Sequence, residues 1–178
     1  MAVGAPHILL IGMMGAGKTT VGTTLAGQLG WRYLDSDREV QEATGRTVPQ
    51  LFAERGEAAF RAAEAAALQL ALTGPQPTVV SVAGGAVLDP DNRTLIGRSG
   101  LVVWLRARPE TLAARVGDGA GRPLLGDDPA SALVELDRVR RPIYAELADL
   151  VVDVDDLTPE EVADRVLVDR MLADRPGP

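Results

Sequence analysis

The sequence predicts an α/β fold of three layers, a doubly wound parallel sheet of about five strands, and two observations carry that prediction. Short apolar runs of strand length, at 6–11, 31–35, 78–82, 101–105 and 150–154, alternate along the chain with longer stretches of helical character. Such alternation implies right-handed crossovers and a parallel sheet covered by helices on both faces. The chain of 178 residues, 46% hydrophobic and 24% charged, also has the size and composition of one ordinary globular domain, so 1–178 is expected to fold as a single unit.

The elements follow in order. The run 6–11 is apolar and bounded by Gly12, the pattern of a buried parallel strand. A glycine-rich turn precedes a helix expected over 18–29 and closed by Gly30. After the strand at 31–35, Ser36 followed three residues later by Glu39 forms a capping-box pattern that opens a helix, and Gly45 closes it. A short helix over 48–55 should stop at Gly56, and the Ala-rich stretch 57–72 has no breaker until Gly74. Helices over 91–98, 109–116, 129–147 and 159–172 separate the later strands. The segment 117–128, rich in Gly and Asp around Arg122 and Pro123, is too polar for a core, and a loop this long usually has a function such as closing over a site. The end, 174–178, is expected to be disordered.

Charge and composition exclude several functions. A net charge of −7 with no Lys/Arg-rich run argues against a nucleic-acid partner. No apolar run is long enough to span a bilayer, and the apolar start lacks the basic flank of a signal peptide. With no cysteine and a single histidine, His7, a zinc site is not expected. A cytoplasmic monomer is the default expectation. Among the 18 basic residues there is one lysine, Lys18, and it falls inside the strongest motif of the chain.

That motif is Gly12-Met13-Met14-Gly15-Ala16-Gly17-Lys18-Thr19, which satisfies the P-loop pattern G-x-x-x-x-G-K-[ST] at every fixed position. Glycines let successive backbone N–H groups turn inward around phosphate oxygens, the helix that starts near Lys18 adds its positive end, and the ammonium reaches the β- and γ-phosphates. Thr19 offers a hydroxyl to Mg²⁺, and Thr20 follows it. The residues from Gly12 to Thr20 are therefore the expected ATP site. The spacing excludes the dinucleotide fingerprint, which needs G-x-G-x-x-G.

A P-loop serves kinases, GTPases and motor ATPases alike, so the rest of the chain must discriminate. Asp35 and Asp37, two apart at a strand end, would point to one side if extended geometry persisted. There they could hold the Mg²⁺ shell and orient an attacking hydroxyl. Asp37 is equally a favourable acid in the first turn of a helix. Phe52, Gly56, Glu57, Phe60, Arg61 and Glu64 form F-x-x-x-G-E-x-x-F-R-x-x-E, in which Glu57 and Arg61 also suit a surface ion pair. Gly84-Gly85 after an apolar strand allows a ligand to approach the backbone closely.

Taken in order, the P-loop, Asp35-Ser36-Asp37, the run ending at Arg61, Gly84-Gly85-Ala86-Val87, Arg122-Pro123-Leu124-Leu125 and Arg140-Arg141-Pro142-Ile143-Tyr144 resemble shikimate kinase. The resemblance implies the sheet order of nucleoside-monophosphate kinases, a shikimate-binding segment around 35–64 and a lid around 117–128. It implies substrate contacts from Asp37, Arg61, Gly84, Gly85 and Arg140, with Asp37 orienting or deprotonating the attacking hydroxyl. Thr19 would ligate Mg²⁺ directly and Asp35 through water. Lys18 and Arg122 would neutralise the transferring phosphoryl group, Arg122 on lid closure, and Arg115 matches a position that stacks on adenine. In one respect the chain departs from the family: Ala83 stands where a first glycine is common, so a left-handed backbone there would store strain of about 1–3 kcal/mol. Two rivals are a P-loop kinase for another small acceptor, such as gluconate or a nucleoside monophosphate, and a nucleotide-gated binding module without turnover.

Overall fold

The computed structural model describes residues 7–119 and 122–173. Pro6 and the tail expected to be disordered, 174–178, lie outside the described residues, as do two positions of the expected lid, 120 and 121.

Five parallel strands form one sheet: β1 (His7–Ile11), β2 (Arg32–Asp35), β3 (Thr78–Ser81), β4 (Gly100–Arg106) and β5 (Leu150–Asp153), in the spatial order β2-β3-β1-β4-β5. The helices are α1 (Lys18–Leu29), α2 (Ser36–Thr44), α3 (Val48–Leu72), α4 (Pro90–Ser99), α5 (Pro109–Val116), α6 (Pro129–Leu147) and α7 (Pro159–Ala173). Helix α1 packs on β3 and α7, while α4 and α6 pack on β4. The fold class read from the pattern of apolar runs is therefore the one observed. Central β1 is buried along its whole length and edge strand β2 only in part, as expected for a sheet covered on both faces. A satellite core of Val40, Leu51, Phe60 and Ala67 joins α2 to α3 away from the main one.

The connection leaving β1 runs toward β2, whereas the one leaving β3 crosses to β4 on the other side. Adjacent strands with diverging connections open a crevice at their carboxyl ends, the usual ligand position in such sheets. Gly12 follows β1, and Ala83-Gly84-Gly85 follows β3, so both glycine motifs meet at that crevice.

One local expectation is corrected. Ser36 does not cap α2: Asp35 is the cap, its Oδ1 accepting from the N–H groups of Asp37 (3.0 Å) and Arg38 (3.4 Å). The Ser36 hydroxyl is buried and accepts the Ala83 N–H at 2.8 Å, a tertiary bond that outweighs local capping because that N–H is buried. Gly56 breaks the helical stretch where the sequence places the stop, between 48–55 and 57–72. It kinks α3, with φ 78° and ψ 175°, and the chain resumes helical geometry on both sides.

His7, at the start of β1, is buried, and its pKa is held below the ordinary 6.5 by that burial. Unfolded chains bind a proton here that the folded one resists, so stability should fall as pH drops through about 6.5. Urea midpoints at pH 5.5 and 7.5 are expected to differ less in His7→Leu than in the wild type. An unchanged difference would remove His7 from the account.

Candidate active site

The turn between β1 and α1 is shaped by glycine at three left-handed positions, Gly12 (φ 139°), Gly15 (φ 83°) and Gly17 (φ 91°). Side chains at the first two would also collide: a Cβ on Gly12 would lie 2.6 Å from the Leu105 carbonyl oxygen, and one on Gly15 2.9 Å from Val116. Lys18 folds back over the turn, its Nζ donating to the carbonyls of Gly12 (2.8 Å) and Met13 (3.0 Å). Burial lowers the Lys18 pKa to about 8, with Asp37 and then Asp35 opposing the shift. Beside this turn lies a cavity of about 400 Å³ lined by Met14, Gly15, Gly17, Lys18, Thr19 and Thr20, by Asp35 and Asp37, and by Arg115 and Arg122.

Asp35 and Asp37 both border that cavity, but not by strand alternation. The strand ends at Asp35 and α2 begins, so Asp37 arrives on the first helical turn, and the expected extended geometry does not persist. Thr19 Oγ1 donates to Asp35 Oδ2 at 3.2 Å. The Asp37 carboxyl is raised above the usual carboxylate range, first by burial and then by Asp35, against the pull of Lys18 and Arg61.

A second cavity, of about 270 Å³, opens from the first and shares Met14, Lys18, Asp37, Ala83 and Arg122 with it. One wall is apolar, from Val48, Pro49, Phe52, Phe60 and Leu124, while Arg61, Arg140, Glu64, Gly84 and Gly85 line the rest. Arg61 is held by Glu64 (2.8 Å) and Glu57 (3.3 Å). Arg140 and Tyr144, one turn apart on α6, are both fully buried. The Tyr144 hydroxyl donates to the Gly84 carbonyl at 2.7 Å, and its burial raises its pKa to about 12. Arg140 Nε is buried without a hydrogen-bond partner among the described residues, an orphaned cationic donor beside an open cavity. Lys18, Arg61, Arg122 and Arg140 face only Asp37 and Glu64, so the cavity carries more positive than negative groups and suits an anionic ligand.

A family model described as shikimate kinase matches residues 14–170. The chain belongs to the shikimate kinase family. A shikimate kinase of Cupriavidus pinatubonensis is 40% identical over 174 residues, covering 97% of this chain and 90% of the relative. The solved shikimate kinase from Acinetobacter baumannii in complex with shikimate superposes with a TM-score of 0.92 at 34% identity, covering 97% of this chain and 96% of that one. A gluconokinase from Sinorhizobium meliloti, at a TM-score of 0.54 and 18% identity, shares the fold alone.

For a shikimate kinase the site holds three features the sequence did not resolve. No residue other than glycine has positive φ among the described residues, so Ala83 takes ordinary dihedrals and stores no left-handed strain. Gly84 and Gly85 are not left-handed either: they are needed for space. A Cβ on Gly84 would lie 3.1 Å from Arg140 Nη1, and one on Gly85 2.9 Å from Arg61 Cζ. Glu64, Tyr144 and the apolar wall were missed as site residues, although Glu64 stands three after Arg61 and Tyr144 four after Arg140, spacings that mark one helix face. Gly12 and Met13 meet Lys18 through their carbonyls rather than lining the cavity. Arg115 donates to the Val154 carbonyl (2.9 Å) and borders a groove with Ala16, Gly17, Thr20, Leu157 and Pro159. Arg122 and Leu124 of the segment expected to act as a lid already line the second cavity.

Proposed function

We propose that this chain transfers the γ-phosphoryl group of MgATP to a ring hydroxyl of shikimate, giving shikimate 3-phosphate and ADP. The single observation that carries this reading is that the phosphate turn and the cationic cavity share Lys18, Asp37 and Arg122, so a nucleotide tail and an acid meet at the same side chains. Arg61 and Arg140, whose Nε is unpartnered, bind the substrate carboxylate with their forked donors, and the apolar wall takes the ring face. Gly84 and Gly85 admit both guanidinium groups to the cavity.

Asp37 orients the attacking hydroxyl and accepts its proton as that oxygen bonds to the γ-phosphorus and the bond to the β–γ bridging oxygen breaks. Lys18 and Arg122 stabilise the charge on the transferring group. The adenine lies in the groove beside Arg115. A hydroxyl and a carboxylate at 3.2 Å, Thr19 and Asp35, form a hard-oxygen set suited to Mg²⁺, which takes few protein ligands alongside nucleotide phosphates. When bound, Mg²⁺ supplies charge neutralisation on the phosphate oxygens. No helix of the described residues is long and apolar enough to cross a membrane.

The direct test is ADP release from MgATP by the purified protein with and without shikimate. Release that requires shikimate is expected; release that ignores it and responds to gluconate, or no release at all, would sink the reading. Gly85→Ala gives a sharper check. The added methyl meets only the end of a flexible side chain, so the fold should persist, but Arg61 must move out of the cavity. The KM for shikimate is expected to rise about tenfold or more with the KM for ATP unchanged.

A further inference from the structure

The carboxylate assigned to the metal is held from behind. Tyr33 and Asp35, two apart on β2, present their side chains to the same face of the sheet, and Ser81 pairs with Asp35 in the parallel ladder between β2 and β3. The Tyr33 ring lies against α1 where Gly22 leaves room: a Cβ there would collide with the ring and lie 3.2 Å from Ser81 Oγ. The Tyr33 hydroxyl is 2.9 Å from Ser81 Oγ and 3.2 Å from Asp35 Oδ2.

Counting hydrogens gives this cluster a direction. An ionised carboxylate only accepts, and each hydroxyl has one hydrogen to give. Tyr33 therefore donates to Asp35, and Ser81 donates to Tyr33. Asp35 Oδ2 receives two hydroxyls, from Thr19 and Tyr33, while Oδ1 is fixed by the first N–H groups of α2. When the Thr19 oxygen turns to a metal, Tyr33 is the remaining side chain that fixes Oδ2.

We propose that Tyr33, steadied by Ser81, is a positioning residue that aims Asp35 at the metal side of the nucleotide and sets how tightly the nucleotide-bound divalent cation is held. This rests on the reading of Thr19 and Asp35 as the metal-facing pair. Groups that orient a metal's carboxylate from behind commonly change metal affinity about 10–100-fold when removed.

The test is the affinity for ADP measured by calorimetry in Mg²⁺ and in EDTA, for the wild type and for Tyr33→Phe, which keeps the ring against Gly22 and removes one oxygen. In the variant the gain in ADP affinity conferred by Mg²⁺ is expected to shrink about tenfold, with metal-free ADP affinity unchanged. The Mg²⁺ concentration for half-maximal turnover should rise by the same factor. Ser81→Ala should act in the same direction by less, and the double variant no more than Tyr33→Phe alone, since the serine acts through the tyrosine. A full Mg²⁺ gain retained in Tyr33→Phe overturns the inference and leaves the metal-facing pair intact. An equal loss in Mg²⁺ and EDTA overturns it too, by showing that the oxygen supports the fold. No Mg²⁺ gain in the wild type overturns both the inference and the reading of Thr19 and Asp35.

Discussion

Asp37→Asn is expected to lower kcat by about 10²–10⁴, the range typical for loss of a positioned proton acceptor, without weakening the binding of MgADP. Asparagine keeps the size of the side chain and its place on the first turn of α2, so neither the helix start nor the cavity wall is disturbed. The variant does lose a carboxylate that burial and Asp35 hold above the usual range, closer to the pH at which a base is effective. In the wild type, kcat/KM should fall on the acid side as Asp37 takes up its proton, and the variant should lack that limb. Rates of ADP formation measured across pH at saturating and at sub-saturating shikimate would give kcat and kcat/KM and check both. A variant with near-normal turnover and the same acid limb would show that the base is another group.

Lys18→Ala is the second large effect, an expected loss of about 10²–10³ in turnover or more, with unfolding free energy changed by no more than about 1.5 kcal/mol. The fold tolerates the change because Lys18 contributes two hydrogen bonds to carbonyls of its own loop and sits outside the apolar core. A pH signature accompanies it. Burial brings the Lys18 pKa down to about 8, so the free protein holds a charged ammonium below that value and a neutral amine above it. Nucleotide phosphates favour the charged form. Affinity for ADP should therefore decline as pH rises through about 8, and binding at higher pH should take up a proton. Calorimetry at pH 8.5 in buffers of different ionisation enthalpy measures that uptake. Lys18→Ala should abolish it, and undiminished uptake in the variant would assign the proton elsewhere.

Much of the site was legible because its parts are local. A phosphate turn is a property of eight consecutive residues, and the glycines at 12, 15 and 17 that give it left-handed backbone are readable one by one. The strand runs were legible for a related reason: β1 is buried on both faces, and burial on both faces demands an uninterrupted apolar segment. Asp37, Arg61, Gly84, Gly85, Arg122 and Arg140 were named from motif order, yet nothing in their separate neighbourhoods said that they face one another. The expected capping box at Ser36 failed for the same reason in reverse. A local pattern was present, but a distant backbone N–H claimed the hydroxyl.

By itself, then, the sequence determined the class of fold, the order of its elements and the phosphate-binding turn, because each depends on side-chain periodicity or backbone freedom within a short window. Only the tertiary structure decided what surrounds that turn: that Arg140 is buried with an unpartnered Nε, that Gly84 and Gly85 serve as clearance for two guanidinium groups, and that Tyr33 braces Asp35. These depend on distances between elements far apart in the chain. Such distances are fixed by how helices pack on the sheet, which no local window of residues encodes.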